Sequence, residues 1–275
     1  MRVLVLVILL MQGGVATAQN SGLIKLGARD ALLGWEAVGR VSIGNRGYCT
    51  GVLIATDLVL TAAHCVYDKM TGQAEQENAL RFQAGWRDGK AIAERGIAAI
   101  AAHPKYNPKA GVTLENLKHD AALLKLDQAV PAGMAAPFVL HSGAKTGQRV
   151  SVVSYGKGRD TALSWQRDCG LLGRGDGILG FDCDVTFGSS GAPVFVREGQ
   201  RARILTLVSS GGSRNGMKVA YGMELPPVIS ELKRVLRARG PIRSTVSVPQ
   251  VKRLRVGVMN GSTGAKFVTS KPGNP

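Results

Sequence analysis

Ser190 lies in the small-residue segment Gly188-Ser189-Ser190-Gly191-Ala192-Pro193, a setting that can expose a nucleophile. A serine hydroxyl is barely ionised at neutral pH, so attack on a carbonyl requires a neighbouring base. The chain has four histidines, His64, His103, His119 and His141, and all of them precede this segment. The α/β-hydrolase order, in which the base follows the serine, therefore has no candidate, and Ala192 interrupts the Gly-x-Ser-x-Gly elbow. The order histidine, aspartate, serine is available. His64 follows the apolar run Leu58-Val59-Leu60 within Thr61-Ala62-Ala63-His64-Cys65, which puts it at a strand end. Asp120 precedes the run Ala121 to Leu126, so its carboxylate enters a largely apolar setting. A buried carboxylate is costly unless it accepts hydrogen bonds, and an imidazole N–H is a suitable donor. His64, Asp120 and Ser190 are the candidate catalytic residues.

The elements that must position them are short. Val52-Leu53-Ile54, Leu58-Val59-Leu60, Ala121 to Leu126, Val150 to Val153, Ala192 to Val196 and Ile204 to Val208 are runs of three to six residues, mostly bounded by Gly, Asn, Asp or Pro. Such spacing argues for an all-β sandwich or barrel, not for strands alternating with long helices. One helix stands out near the end: Pro226-Pro227 opens it, Val228, Leu232, Val235 and Leu236 share a face, and Gly240-Pro241 stops it. Trp35, Trp86 and Trp165 read as packing residues, and His103 as a turn residue before Pro104. His119 reads as an exposed loop residue beside Asp120, and His141 has no evident partner in sequence.

A length of 275 residues with 45% hydrophobic positions suffices for one large core or two small ones. The net charge of +16 favours acidic partners, including cell-envelope polyanions. No basic stretch is interleaved with aromatics, so no nucleic-acid partner is expected. Arg2, the nine apolar residues Val3 to Met11 and the small residues Ala16-Thr17-Ala18 describe a secretory signal over residues 1–18, with the mature chain expected to start near Gln19, secreted or periplasmic. No transmembrane segment is expected, because nine apolar residues are too few to span a bilayer as a helix. Cys49, Cys65, Cys169 and Cys183 then meet an oxidising compartment. Four cysteines allow three connectivities; neighbour pairing is the plain expectation, since it closes two short loops. Neither couple has the spacing of a zinc site, and no metal or organic cofactor is expected. Residues 241–275 carry six basic and no acidic residues and read as a basic tail, with an edge strand conceivable at Leu254, Val256 and Val258.

Three segments together carry a resemblance. Thr-Ala-Ala-His-Cys at 61–65, Asp-Ala-Ala-Leu-Leu-Lys-Leu at 120–126 and Gly-Ser-Ser-Gly-Ala-Pro-Val at 188–194 resemble the signature segments of trypsin-like serine endopeptidases. Cys49-Thr50-Gly51-Val52-Leu53-Ile54 is similar to the strand that supplies that family's histidine-loop disulfide, and His103-Pro104-Lys105-Tyr106 to the loop ahead of its aspartate. The resemblance implies two packed six-stranded antiparallel β-barrels with a C-terminal helix. Residues 35–137 would form the first barrel, 138–240 the second plus the helix, and 19–34 an N-terminal segment with room for a short pro-segment. It further implies Ser190 as nucleophile, His64 as base and then acid, Asp120 as its orienting group, and the Gly188 and Ser190 amides as an oxyanion hole.

Ser189 stands where animal digestive members carry the aspartate that pairs with a newly cut amino terminus, and no Ile-Val-Gly-Gly start precedes Val41, so that activation switch is expected to be absent. The Ser-Ser-Gly-Ala-Pro form is closer to the bacterial glutamyl-endopeptidase-like branch. Asp184 occupies the position of a pocket carboxylate that would bind Lys or Arg, yet Val208-Ser209-Ser210-Gly211-Gly212 lacks the wall histidine of glutamate-specific relatives, which leaves side-chain preference open. Ser209, Ser210 and Gly211 offer backbone to an extended peptide, and a surface turn is the alternative that also explains the glycines. The expectation is a monomeric exported endopeptidase acting on peptide or protein substrates. The rivals are an esterase using the same residues and a non-catalytic binding module with a basic envelope-binding surface.

Overall fold

The computed structural model describes residues 22–143, 145–198, 201–214 and 216–239. The secretory signal, the expected start at Gln19, the basic tail with its edge strand and the Gly240-Pro241 stop lie outside these described residues.

A short strand, β1 (Leu23–Lys25), is followed by six strands that close on themselves: β2 (Val38–Ile43), β3 (Gly47–Ala55), β4 (Leu58–Thr61), β5 (Leu80–Ala84), β6 (Ala93–Ala102) and β7 (Ala122–Leu126), in the order β2-β3-β4-β7-β6-β5. All pairings are antiparallel, with Val41 opposite Cys49, Val59 opposite Leu124 and Ile100 opposite Leu124 from the other side. Irregular register at Leu53/Ala55 in β3 and Ile97/Ala99 in β6 supplies the bends that closure needs. Val38, Val52, Leu53, Val59, Leu60, Phe82, Leu123 and Leu124 are wholly buried; neighbours such as Leu123 and Leu124 point to opposite faces, so these strands are covered inside the barrel and outside it. The apolar runs read from the sequence in this half are thus strands buried on both faces.

The second half contains β8 (Arg149–Ser154), β9 (Ser164–Gly175), β10 (Ile178–Phe181), β11 (Pro193–Glu198), β12 (Arg201–Leu207), β13 (Ser210–Arg214) and β14 (Met217–Met223). Their order is β12-β11-β8-β9-β10-β14-β13, and β1 adds to β9, making eight strands in place of the expected six. Val152, Leu171, Leu179, Phe181, Val194 and Ala220 form its buried centre. The fold agrees in outline with the expected two-barrel one: mostly strands, a closed six-stranded barrel, a second sheet and a C-terminal helix.

A short helix, α1 (Leu114–Lys118), is capped by the Thr113 hydroxyl, which accepts from the Asn116 amide at 3.2 Å. The Asn116 side chain donates to the carbonyls of Asn107 (3.0 Å) and Gly111 (2.8 Å), which ties down the loop leading to Asp120. The last helix, α2 (Leu225–Ala238), begins with Pro226 and Pro227 in its first turn and buries Leu225, Val228, Ile229 and Leu232 against β6 and β7 of the first barrel. The second half of the chain is thereby anchored on the first. Trp35 lies between the halves, its ring 5.0 Å from Trp165, 5.1 Å from Phe195 and 5.9 Å from Phe138.

Candidate active site

His64 is carried on a single 3-10 turn, Ala63–Val66, at the end of β4. That turn is clamped by the Cys49–Cys65 disulfide to β3, while Cys169–Cys183 joins β9 to the segment ahead of Ser190. Among the described residues the only three-member cluster of metal-ligating side chains is Cys49, His64 and Cys65, and both of its sulfurs are spent on the disulfide. Asp120 is buried between α1 and β7. Its Oδ1 accepts the His64 backbone N–H at 2.8 Å, and its Oδ2 lies 2.7 Å from His64 Nδ1. The Ser209 hydroxyl donates to the same Oδ2 at 2.5 Å. A carboxylate accepts only, so His64 Nδ1 carries a proton, and in the neutral ring the lone pair falls on Nε2. Three donors on one buried carboxylate offset its desolvation and fix the imidazole plane.

Ser190 lines the same cleft as His64 and Asp120, a cavity of about 720 Å³. The turn that carries Ser190 is sewn to the first barrel through Thr50 of β3. The Thr50 amide donates to the Ser190 carbonyl at 2.9 Å, and its hydroxyl donates to the Gly188 carbonyl at 2.8 Å. The Tyr155 amide in turn donates to the Thr50 hydroxyl at 3.1 Å. Gly191, at φ +77°, leaves no room for a side chain: a Cβ there would lie 2.3 Å from Thr61 Oγ1 and 2.4 Å from the Thr50 carbonyl.

Gly188, at φ +94°, has the Tyr48 ring against it, where a Cβ would approach to 2.4 Å. The amides of Ser189, Gly191 and Ala192 donate to the carbonyls of Thr186 (2.9 Å), Val208 (2.7 Å) and Ser189 (2.9 Å). Among the described residues, the amides of Gly188 and Ser190 have no intramolecular acceptor. Two unengaged N–H groups flanking a serine hydroxyl can receive a negatively charged oxygen.

Beneath the turn, the buried Ser189 hydroxyl donates to the Tyr155 carbonyl at 3.0 Å and accepts from Arg159 Nη2 at 3.0 Å. Arg159 also donates to the Ser154 carbonyl at 2.8 Å, and burial pushes its guanidinium below the usual range. Asp184 borders the cleft, accepting from Lys218 Nζ at 2.9 Å while its amide donates to Gln166 Oε1 at 2.6 Å. Ser210 and Gly211 belong to β13, the terminal strand of the sheet, and line the cleft with Ser209.

His103 turns the chain before Pro104 as expected, its carbonyl accepting from the Tyr106 amide at 2.9 Å, whereas His119 and His141 have partners the sequence did not disclose. The His103 and His119 rings lie with centroids 4.4 Å apart and planes tilted by 31°, so His119 is not the exposed loop residue expected; its Nδ1 lies 2.8 Å from the Glu115 carbonyl. His141 Nδ1 contacts Glu198 Oε1 at 2.7 Å, a partner supplied by a hairpin far along the chain. Thr50 and Arg159 were not anticipated as site residues; for Thr50 the one available signal is its place beside Cys49 in the histidine-loop strand.

Residues 49–201 match the family model described as a trypsin-like peptidase domain. The chain belongs to the trypsin-like peptidase family. This trypsin-like chain is 30% identical to serine protease 56 of Mus musculus over 135 residues, which are 49% of the chain and 21% of that relative. It is 35% identical to serine protease 56 of Homo sapiens over 107 residues, 38% of the chain and 16% of the relative. The chain thus spans about a fifth or less of the curated relatives it matches. Among solved structures, a Glu endopeptidase in complex with MPD superposes with TM-score 0.66 at 17% identity, covering 79% of this chain and 97% of that one. The thermostable serine protease AL20 from an extremophilic microorganism gives TM-score 0.60 at 18% identity, covering 74% and 98%. Both likenesses concern the fold.

Proposed function

We propose that this trypsin-like chain is a serine endopeptidase that works through His64, Asp120 and Ser190. The observation that carries the reading is the His64 Nδ1 to Asp120 Oδ2 contact of 2.7 Å at the wall of a cleft that Ser190 shares. Ser190 Oγ attacks the peptide carbonyl carbon while His64 Nε2 takes its proton. The carbonyl oxygen, now negative, is received by the Gly188 and Ser190 amides, and Asp120 stabilises the imidazolium. The C–N bond then breaks, His64 returns the proton to the leaving amine, and an acyl-enzyme remains on Ser190. Water activated by His64 repeats the sequence and releases the acid. Support for the oxyanion role comes from the two amides without acceptors beside three that are engaged.

The substrate is an extended peptide lying along the free edge of β13, with Ser210 and Gly211 supplying backbone groups. Ser209 has its hydroxyl on Asp120, so its side chain supports the histidine and only its backbone faces a peptide. Export accords with two disulfides, which persist in oxidising compartments. The protein acts as a monomer, and its +16 charge favours contact with acidic envelope material.

The test is labelling by a fluorophosphonate probe, followed by digestion of a peptide mixture. Wild type should be labelled and proteolytic, and Ser190→Ala should lose both, with about 10⁶ of turnover removed. Proteolysis that survives in Ser190→Ala, or a folded wild type that neither labels nor cleaves, would reject the assignment. Comparing ester with amide substrates separates an esterase from a peptidase.

A further inference from the structure

The cleft beside Ser190 continues between the segment 183–187 and the segment 208–212, and Val219 of β14 also lines it. Gly211 contributes bare backbone to one wall. Val185 lies against it: a Cβ built on Gly211 would lie 2.5 Å from Val185 Cγ2, against an ordinary carbon–carbon separation of about 3.5–4.0 Å. The Val185 side chain therefore packs directly on the bare backbone of Gly211, in the strand that pairs with β14.

The charge available in this part of the cleft is already engaged. Asp184 is bound by Lys218 Nζ at 2.9 Å, and its backbone is held by Gln166. A lysine or arginine side chain entering here would have to pass Val185 and displace Lys218. A glutamate would meet Asp184, and neither segment carries a histidine to receive it. An aromatic ring would overlap the Val185 methyl groups.

We infer that Val185, packed on the Gly211 wall, restricts this slot to a small uncharged side chain of alanine or valine size on the acyl side of the cleaved bond. The inference rests on the proteolytic reading above and names the substrate class of that same site. Asp184 then serves to hold Lys218 and the 183–187 segment, and it is not the receptor of a basic side chain.

The test uses peptide p-nitroanilides that differ only in the last acyl residue: Ala, Val, Phe, Lys, Arg or Glu. kcat/KM for Ala and Val should exceed that for each of the other four by about 100-fold, the scale on which a closed apolar pocket discriminates. Val185→Gly should raise the Phe-to-Ala ratio about tenfold or more. Adding Lys218→Ala to Val185→Gly should raise the Lys-to-Ala and Arg-to-Ala ratios by a similar factor. Val185→Ala, a smaller change, should move the Phe-to-Ala ratio in the same direction and covers the case in which the glycine variant does not fold. A wild type that cleaves after Lys, Arg, Glu or Phe as well as after Ala overturns the inference, as do unchanged ratios in a folded Val185 variant. A fluorophosphonate-labelled wild type with a basic preference overturns only this inference; an unlabelled, inactive wild type overturns the proteolytic reading and this one with it.

Discussion

The Thr50 hydroxyl donates to the Gly188 carbonyl at 2.8 Å, joining residues 138 apart in the chain and from opposite halves of the fold. The same hydroxyl accepts from the Tyr155 amide, and the Thr50 amide holds the Ser190 carbonyl. One buried side chain therefore sets the orientation of the turn on which the proposed nucleophile and oxyanion donors depend. Thr50→Val keeps the shape but strands the Tyr155 amide and the Gly188 carbonyl, each at about 1–3 kcal/mol. Steady-state kinetics should show kcat reduced about 10- to 100-fold with KM little changed, and melting should occur several degrees lower.

Gly191 sits at φ +77°, with Thr61, Thr50 and Ala62 against the place a Cβ would occupy. Gly191→Ala combines about 1–2 kcal/mol for the left-handed backbone with about 1–3 kcal/mol of overpacking. The variant should melt well below wild type and show a reduced fraction of sites titratable by a fluorophosphonate. Full titration at an unchanged melting temperature would contradict the tight seam described between β3, β4 and this turn.

Burial first, and the neighbouring His119 second, hold the His103 imidazole below its ordinary value. The folded chain therefore resists a proton that the unfolded chain accepts. Stability is fully present above the ordinary histidine value of about 6.5 and is lost as pH falls below it toward the lowered folded value. Thermal melts between pH 8 and pH 5 should show a decline on the acid side that is shallower in His103→Asn. Equal slopes for the two proteins would remove His103 as its source.

The Cys49–Cys65 bridge closes a loop with a sequence separation of 16 and fastens the residue next to His64. On the chain-entropy account such a loop is worth about 3 kcal/mol. The double variant Cys49→Ser, Cys65→Ser should lose about that much in denaturant titration and most of its activity at moderate temperature. The Cys169–Cys183 counterpart should lose comparable stability while retaining more turnover, because that bridge fastens a wall of the cleft and not the turn that carries His64.

The first barrel was largely legible because its strands are apolar runs with turn residues between them, and burial on closure is what such runs require. β13, with the sequence Ser-Gly-Gly-Ser-Arg, carries no apolar residue and reads as a surface turn; it is a strand only because β14 pairs with it. β9 is twelve residues long with polar positions inside it, and a run-based reading divides it. At the site, the residue types chemistry demands stood out singly: one histidine at a strand end, one aspartate ahead of an apolar run, one serine among glycines. Thr50, Arg159 and the Ser209 hydroxyl did not, because their importance lies in partners 30 to 138 positions away. The partner of His141, Glu198, was hidden for the same reason.

The aromatic contact around Trp35 gives the protein an intrinsic optical gauge. Two of its three tryptophans, Trp35 and Trp165, share one ring cluster with Phe138 and Phe195 where the halves meet. Indole emission from that cluster is sensitive to water entry, so parting of the halves registers spectroscopically without any added dye. Storage damage, reduction of the bridges or a destabilising substitution can thereby be followed on the untreated molecule.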